Sequence, residues 1–213
     1  MDFDQLITIV GNLEWFDLAT LVQLSGERRQ TITNQLYRWG QTGKVIALRR
    51  GMYALTERYC RVTIQPAALA NALHRPSYLS CLWALAFYGL IPESVAVYTS
   101  VTTRTPQRFE NQLGEFVYSN VKQSLFFGYT PVSISDRKVL LATPEKALMD
   151  YWHLSGGEWT ESRMREMRFQ QNELVDKAKL RTLAEGIGKP RLHQAVEVWS
   201  QVVKTEDEGA IEL

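Results

Sequence analysis

Cysteine is nearly absent: Cys60 and Cys81 are the only two in 213 residues. Two thiols at that spacing make neither a metal site nor a secreted disulfide framework. Histidine is almost as scarce. His74, His153 and His193 lie far apart, without carboxylate or cysteine neighbours at ligand spacing. The glycines never gather into a phosphate-cradling loop, and no serine is flanked by the glycines of a nucleophile elbow. These shortages leave no catalytic constellation and no cofactor motif, so the expectation is a protein that is not an enzyme and carries no cofactor.

Charge of one sign is also missing. The formal net charge is +1, so any attraction to nucleic acid must come from local clustering. Long apolar runs are missing too. The longest uncharged stretch, Pro76 to Pro92, is broken by Ser77, Ser80 and Gly89 and falls short of the ~20 residues a membrane span needs. The start, Met1-Asp2-Phe3-Asp4, lacks the basic-then-apolar order of a signal peptide. A reducing cytoplasm is therefore the expected location, with no membrane partner. There is no internal repeat or low-complexity tract.

What is present is a change of pattern along the chain. Phe3, Leu6, Ile7 and Val10 fall at helical spacing and stop at Gly11-Asn12. Asp17 can cap a second helix carrying Leu18, Leu21, Val22 and Leu24, broken by Ser25-Gly26. A third helix is predicted from about Glu27 to Gln41, with Ile32, Leu36 and Trp39 on one face. Strand-like runs at 45–48 and 52–55 flank Arg49-Arg50-Gly51, where the glycine can take positive φ. Three helices and a hairpin are the order of a winged helix-turn-helix, placed at residues 1–62.

The basic residues concentrate there. Between Ser25 and Met52 lie Arg28, Arg29, Arg38, Lys44, Arg49 and Arg50, with Glu27 the only acid. They fall on the third helix and the hairpin, the two elements a winged helix lays on DNA. With Ile32, Leu36 and Trp39 facing the core, Gln30 and Asn34 stand one above the other on the opposite face, beside Thr33. Glutamine and asparagine can bond N6 and N7 of adenine in the major groove. Arg28 and Arg29 suit phosphate or guanine, and Arg49 and Arg50 suit phosphates or the minor groove. The candidate DNA-binding set is thus Arg28, Arg29, Gln30, Thr33, Asn34, Arg49 and Arg50, and the expected partner is double-stranded DNA. The bland alternative is a solvated face of ordinary surface arginines.

Beyond a connector at 56–75 holding a short helix from Pro66 to Leu73, a mixed α/β domain is expected over 63–204. Its elements are a buried helix capped by Ser77 and running to about Tyr88, then strands at 95–102, 114–121, 124–129, 131–134 and 139–142. A helix follows that is started by Thr143-Pro144-Glu145, and further helices begin at Asp176 and Pro190. Trp83, Phe87 and Tyr88 read as core rather than a base-stacking platform. Glu145 and Asp150, five apart, read as solvated acids. Asp136-Arg137-Lys138 reads as a turn between strands. Residues 205–213 form an acidic tail expected to be frayed or disordered. The expected fold class is α+β.

Several pieces resemble one family in order along residues 3–203. Arg50-Gly51-Met52-Tyr53-Ala54-Leu55 resembles the wing strand of AbiEi-type antitoxins, from abortive-infection (type IV) toxin–antitoxin systems. Pro76-Ser77-Tyr78-Leu79-Ser80, Tyr88-Gly89-Leu90-Ile91-Pro92 and Thr99-Ser100-Val101-Thr102-Thr103 are similar to that family's next segments. So are Phe126-Phe127-Gly128-Tyr129 and Ala142-Thr143-Pro144-Glu145-Lys146-Ala147-Leu148. The resemblance implies a winged helix that represses the protein's own operon by binding its operator. It also implies a C-terminal antitoxin domain that counteracts a cognate nucleotidyltransferase-type toxin, and it assigns no toxin-facing residues. The alternatives are a winged-helix-targeted nuclease or other DNA-processing enzyme, and a winged-helix scaffold that binds only protein.

Overall fold

The computed structural model describes the backbone of residues 1–211 and the side chains of residues 1–205. The fold is α+β, with two sheets and helices packed around them. The N-terminal unit starts with helix α1 (Phe3–Val10), held by a reciprocal cap between Asp2 and Gln5. Strand β1 (Phe16–Asp17) leads into α2 (Leu18–Ser25), where Asp17 accepts from the Thr20 amide. Gly26, at φ +68, ends α2 in the left-handed conformation that glycine adopts without strain. Helix α3 (Arg29–Gln41) follows, then the hairpin of β2 (Val45–Arg49) and β3 (Met52–Leu55). The three strands pair antiparallel in the order β1-β3-β2. Leu6, Val10, Leu21, Ile32 and Leu36 close a small core with Val45 and Leu55.

The rest of the chain builds a larger layer. Helix α4 (Pro66–Leu73) starts on its proline, followed by β4 (Ser77–Leu79) and α5 (Cys81–Phe87). Strands β5 (Val97–Thr102), β6 (Gln107–Asn111), β7 (Gly114–Asn120), β8 (Tyr129–Ile134) and β9 (Arg137–Ala142) complete a six-stranded sheet. Its order is β6-β7-β5-β4-β9-β8, with β5 parallel to β7 and β4 parallel to β9. Helices α6 (Pro144–Leu154), α7 (Glu161–Glu166), α8 (Lys177–Ile187) and α9 (Pro190–Ile211) finish the chain. Trp152, Trp159 and Trp199 fill the space between them, each almost wholly buried.

Three expectations are corrected here, and one strand was not anticipated. The predicted helix from Ser77 to Tyr88 is a strand followed by a shorter helix. All three residues of β4 are buried, and a short apolar run covered on both faces cannot be told from a buried helix by periodicity. Residues 124–129 are not a strand: Gln123–Leu125 is a 3-10 turn, and β8 begins only at Tyr129. Strand β6 has no apolar run to announce it, because it is a sheet edge with mostly polar residues. Phe87 is 43% exposed and stacks on the half-buried Trp83 rather than entering the core. The acidic segment 205–213 falls largely outside the described residues; the helical backbone of α9 continues to Ile211.

The two layers meet at the β2–β3 hairpin. Strand alternation sends Val45, Tyr53 and Leu55 into the small core and Ile46, Leu48, Met52 and Ala54 into the large one. The Asn111 side chain at the end of β6 donates to the Leu48 carbonyl at 3.1 Å. Packing is therefore continuous across the boundary expected near residue 62.

Candidate nucleic-acid interface

Ile32 and Leu36 pin α3 to the small core, and burying each is worth roughly 1.5–3 kcal/mol. That orientation decides what the opposite face shows. Gln30 and Asn34 are both exposed, and the Gln30 Nε2 donates to the Asn34 Oδ1 at 3.1 Å. The pair is aligned as its four-residue spacing dictates, and its amide ends are held ready for a partner with matching donors and acceptors. Arg28 and Arg29 are exposed at the helix start. Thr33 is half-buried and its hydroxyl is turned back onto the Arg29 carbonyl at 2.9 Å, so it has less to offer than its neighbours.

Tyr37 belongs to the same face and escaped the sequence reading. It is 69% exposed, three residues after Asn34 and seven after Gln30. The helical spacing was the available signal. An aromatic ring with a phenol can lie along a sugar–phosphate backbone or donate to a phosphate.

Glu27, the lone acid of the segment, is engaged by the amino group of Met1, and the Gln35 side chain donates to the Met1 carbonyl at 2.6 Å. The N-terminus thus folds against α3 and offsets the Glu27 charge, while Asp2 and Asp4 line the same surface depression. Lys44 is drawn the other way, with its ammonium 4.5 Å from the centre of the Phe3 ring.

Arg49 and Arg50 are exposed at the hairpin tip, where Gly51 takes φ +79. A register shift between Ala47 and Arg49 marks a bulge, which twists the strand end. Arg49 Nη1 donates to the Arg50 carbonyl at 3.1 Å. The tip reaches toward the large sheet. Burial holds the His74 imidazole below its ordinary range, the Thr105 carbonyl pulls it up, and the charges of Arg104 and Arg49 push it down. The structure therefore places the seven predicted residues on one helix and one hairpin of the same unit, six exposed and one half-buried.

Elsewhere a polar cluster does appear, and it corrects the reading of Glu145 and Asp150 as solvated acids. Both are buried, at 4% and 2% exposure. Asp150 accepts from the Tyr78 hydroxyl at 2.9 Å and the Ser80 hydroxyl at 2.8 Å, and pairs with the Lys146 ammonium. Lys146 is itself 1% exposed and lies over the rings of Tyr78 and Phe127. Glu145 accepts from Lys179 at 2.8 Å and from Thr143 at 2.8 Å. Helix α6 lies with its charged face inward, and each charge finds its partner there.

This cluster is closed. Burial pushes the Asp150 carboxyl up, against the pull of Lys146 and the two hydroxyls. Burial, then the charge of Asp150, pushes the Cys81 thiol far up, so no thiolate nucleophile is offered. The turn between β8 and β9 is Ser135-Asp136, both at positive φ, whereas Arg137 and Lys138, expected in the turn, already pair within β9. Among the described residues no three histidine, cysteine, aspartate or glutamate side chains group as a metal site, and no helix is long and apolar enough to cross a membrane. No protein-family model matches the chain, and no curated protein matches it at a significant level.

Proposed function

We propose that this chain is a DNA-binding antitoxin that represses its own operon through an N-terminal winged helix-turn-helix. In this reading α3 is the recognition helix, the β2–β3 hairpin is the wing, and the protein acts in the cytoplasm without being an enzyme. The observation that carries it is the outward face of α3. There Gln30 and Asn34 stand exposed and aligned, with Arg28 and Arg29 exposed at the helix start, and Arg49 and Arg50 are exposed at the hairpin tip of the same unit. Base-reading amides framed by phosphate-binding cations are what duplex recognition requires.

The antitoxin half rests on the resemblance to AbiEi-type antitoxins, and its cognate partner would be a nucleotidyltransferase-type toxin. The motif residues Tyr78, Ser80, Gly128, Thr143 and Lys146 serve packing and capping. They support a shared scaffold and name no toxin-facing surface.

The test is a gel-shift series with the full chain on its own upstream DNA and on a scrambled duplex. Replacing Gln30 and Asn34 with alanine should relax sequence preference, at ~1–3 kcal/mol of discrimination per bidentate contact. Equal affinity of the wild-type chain for both duplexes would refute specific binding. For the second half, co-expression with a nucleotidyltransferase-type reading frame encoded beside this gene should restore growth; absence of such a frame, or failure to restore growth, removes the antitoxin role and leaves the repressor.

A further inference from the structure

On the DNA-binding reading above, on which this coupling rests, we infer that His74 makes duplex binding proton-linked. A phosphate seated on Arg49 favours a proton on the buried imidazole near it, and affinity for DNA rises as pH falls.

His74 follows α4 and is 8% exposed. Its Nε2 lies 3.0 Å from the Thr105 carbonyl in the β5–β6 loop. A carbonyl only accepts, so Nε2 carries the proton of the neutral ring and a second proton must enter at Nδ1. Tyr118 meets the ring edge-on at 5.2 Å, and the Phe109 ring lies at 6.3 Å. Phe109 stands two residues before Asn111 on β6, on the same face of the strand. Asn111 in turn holds the Leu48 carbonyl, and Arg49 is the next residue. One strand therefore fixes both the wing tip and the imidazole, within range of each other's charge.

The charges that act on the ring have one sign. Arg104 comes from the β5–β6 loop, where its Nη1 donates to the Arg75 carbonyl at 3.2 Å, and Arg49 comes from the wing. Arg75 itself is exposed, so solvent screens it. On β6, Arg108 and Glu110 alternate to the face opposite Phe109, and Arg108 pairs with Glu115 of β7 at 3.0 Å. Tyr118 stays neutral, because burial pushes its phenol far up. No carboxylate among the described residues acts on the imidazole. Burial, Arg104 and Arg49 therefore oppose its protonation together. A duplex phosphate on Arg49 offsets one of those charges and makes the imidazole easier to protonate. Linkage is reciprocal, so what DNA does for the proton the proton does for DNA. Between the free and bound midpoints of His74, binding takes up a proton, and affinity rises by at most about tenfold per pH unit of fall.

The experiment has two arms on the full chain. The first follows the histidine imidazole signals by NMR from about pH 5 to pH 8 without DNA. Arg49→Gln and Arg104→Gln should each raise the His74 midpoint and leave His153 and His193 in place. The second measures binding of the upstream duplex by calorimetry near about pH 6.5, in two buffers of different ionisation enthalpy. The wild-type chain should take up a fraction of a proton that His74→Gln does not, and its affinity should fall more steeply with rising pH. Glutamine still donates to the Thr105 carbonyl. A purely structural His74 would move the melting temperature on substitution and leave proton uptake alone. A midpoint unmoved by Arg49→Gln, or proton uptake equal in wild type and His74→Gln, would overturn the coupling alone. A chain that binds no duplex at any pH overturns the DNA-binding reading, and the coupling with it.

Discussion

The Lys146–Asp150 pair makes a sharp test of what holds the large layer together. Both side chains are nearly inaccessible, and Asp150 accepts from Tyr78, Ser80 and Lys146 together. Removing the charge from one partner strands the other in a medium that solvates it poorly, which typically costs about 3–5 kcal/mol. Asp150→Asn isolates the effect, because its carboxamide oxygen still accepts from the two hydroxyls while Lys146 loses its countercharge. Lys146→Met does the converse. Lys146→Met leaves Asp150 free to take up a proton, since burial favours its neutral form, so this variant falls short of the full penalty at low pH. It should also lose stability as pH rises, because a carboxyl raised in the folded state stabilises the fold at low pH and loses that contribution on ionising. The double variant carries no charge at this pair and should recover most of the loss. Urea unfolding followed by circular dichroism gives the cycle, with a coupling of about 0.5–3 kcal/mol expected for contacting residues. By heat, the Asp150→Asn loss corresponds to roughly 6–20 °C, at about 2–4 °C per kcal/mol for a chain of this size. Two single variants each within about 0.5 kcal/mol of wild type, and additive in the double, would refute the reasoning.

Other outcomes follow from the same geometry. Replacing Arg49 and Arg50 with alanine should lower the salt slope of DNA binding by roughly 2, one unit per phosphate contact; an unchanged slope in a gel-shift series places the hairpin off the phosphates. Tyr37→Ala should leave the melting temperature unchanged, since the ring is 69% exposed, and weaken operator binding. Gly128→Ala should destabilise the fold by about 1–2 kcal/mol from backbone alone, because Gly128 sits at φ +74. The new methyl also meets Lys146 Cγ at 3.0 Å, so chemical denaturation should show at least that loss. Burial makes the folded His74 imidazole harder to protonate than the unfolded one, so its contribution is present above its ordinary range and lost as pH falls. His74→Gln should flatten stability between about pH 7 and pH 5. His153 is shifted in the same direction by burial and leaves a residual slope.

The N-terminal unit was largely legible because its signals are local. Helical spacing in 3–10, a capping aspartate before α2, and Gly26 and Gly51 at positive φ each act within a few residues. The outward position of Gln30 and Asn34 follows from Ile32 and Leu36 alone. What failed depends on partners distant in sequence. Ser77–Leu79 is a strand because β5 and β9 flank it, and nothing in its own composition says so. Glu145 and Asp150 are buried because Lys179, Tyr78 and Ser80 come from elsewhere to receive them. An acid looks solvated until its cation is found. The sharing of the hairpin between two cores was equally invisible, since an alternating strand reads the same whether its second face meets water or another layer.

That sharing governs how the protein can be made. A ribosome releases residues 1–62 long before β4, β7 and β9 exist, and during that interval Ile46, Leu48, Met52 and Ala54 face solvent. Nascent chains grow at ~5–20 residues per second, so the exposed strip persists for seconds at least. The hairpin is then a short apolar ribbon with a free edge, the kind of surface that chaperones hold and that neighbouring nascent chains can capture. Its final seating waits at least for β6, whose Asn111 side chain holds the Leu48 carbonyl, so the two arginines at its tip are fixed in place only after that strand has arrived.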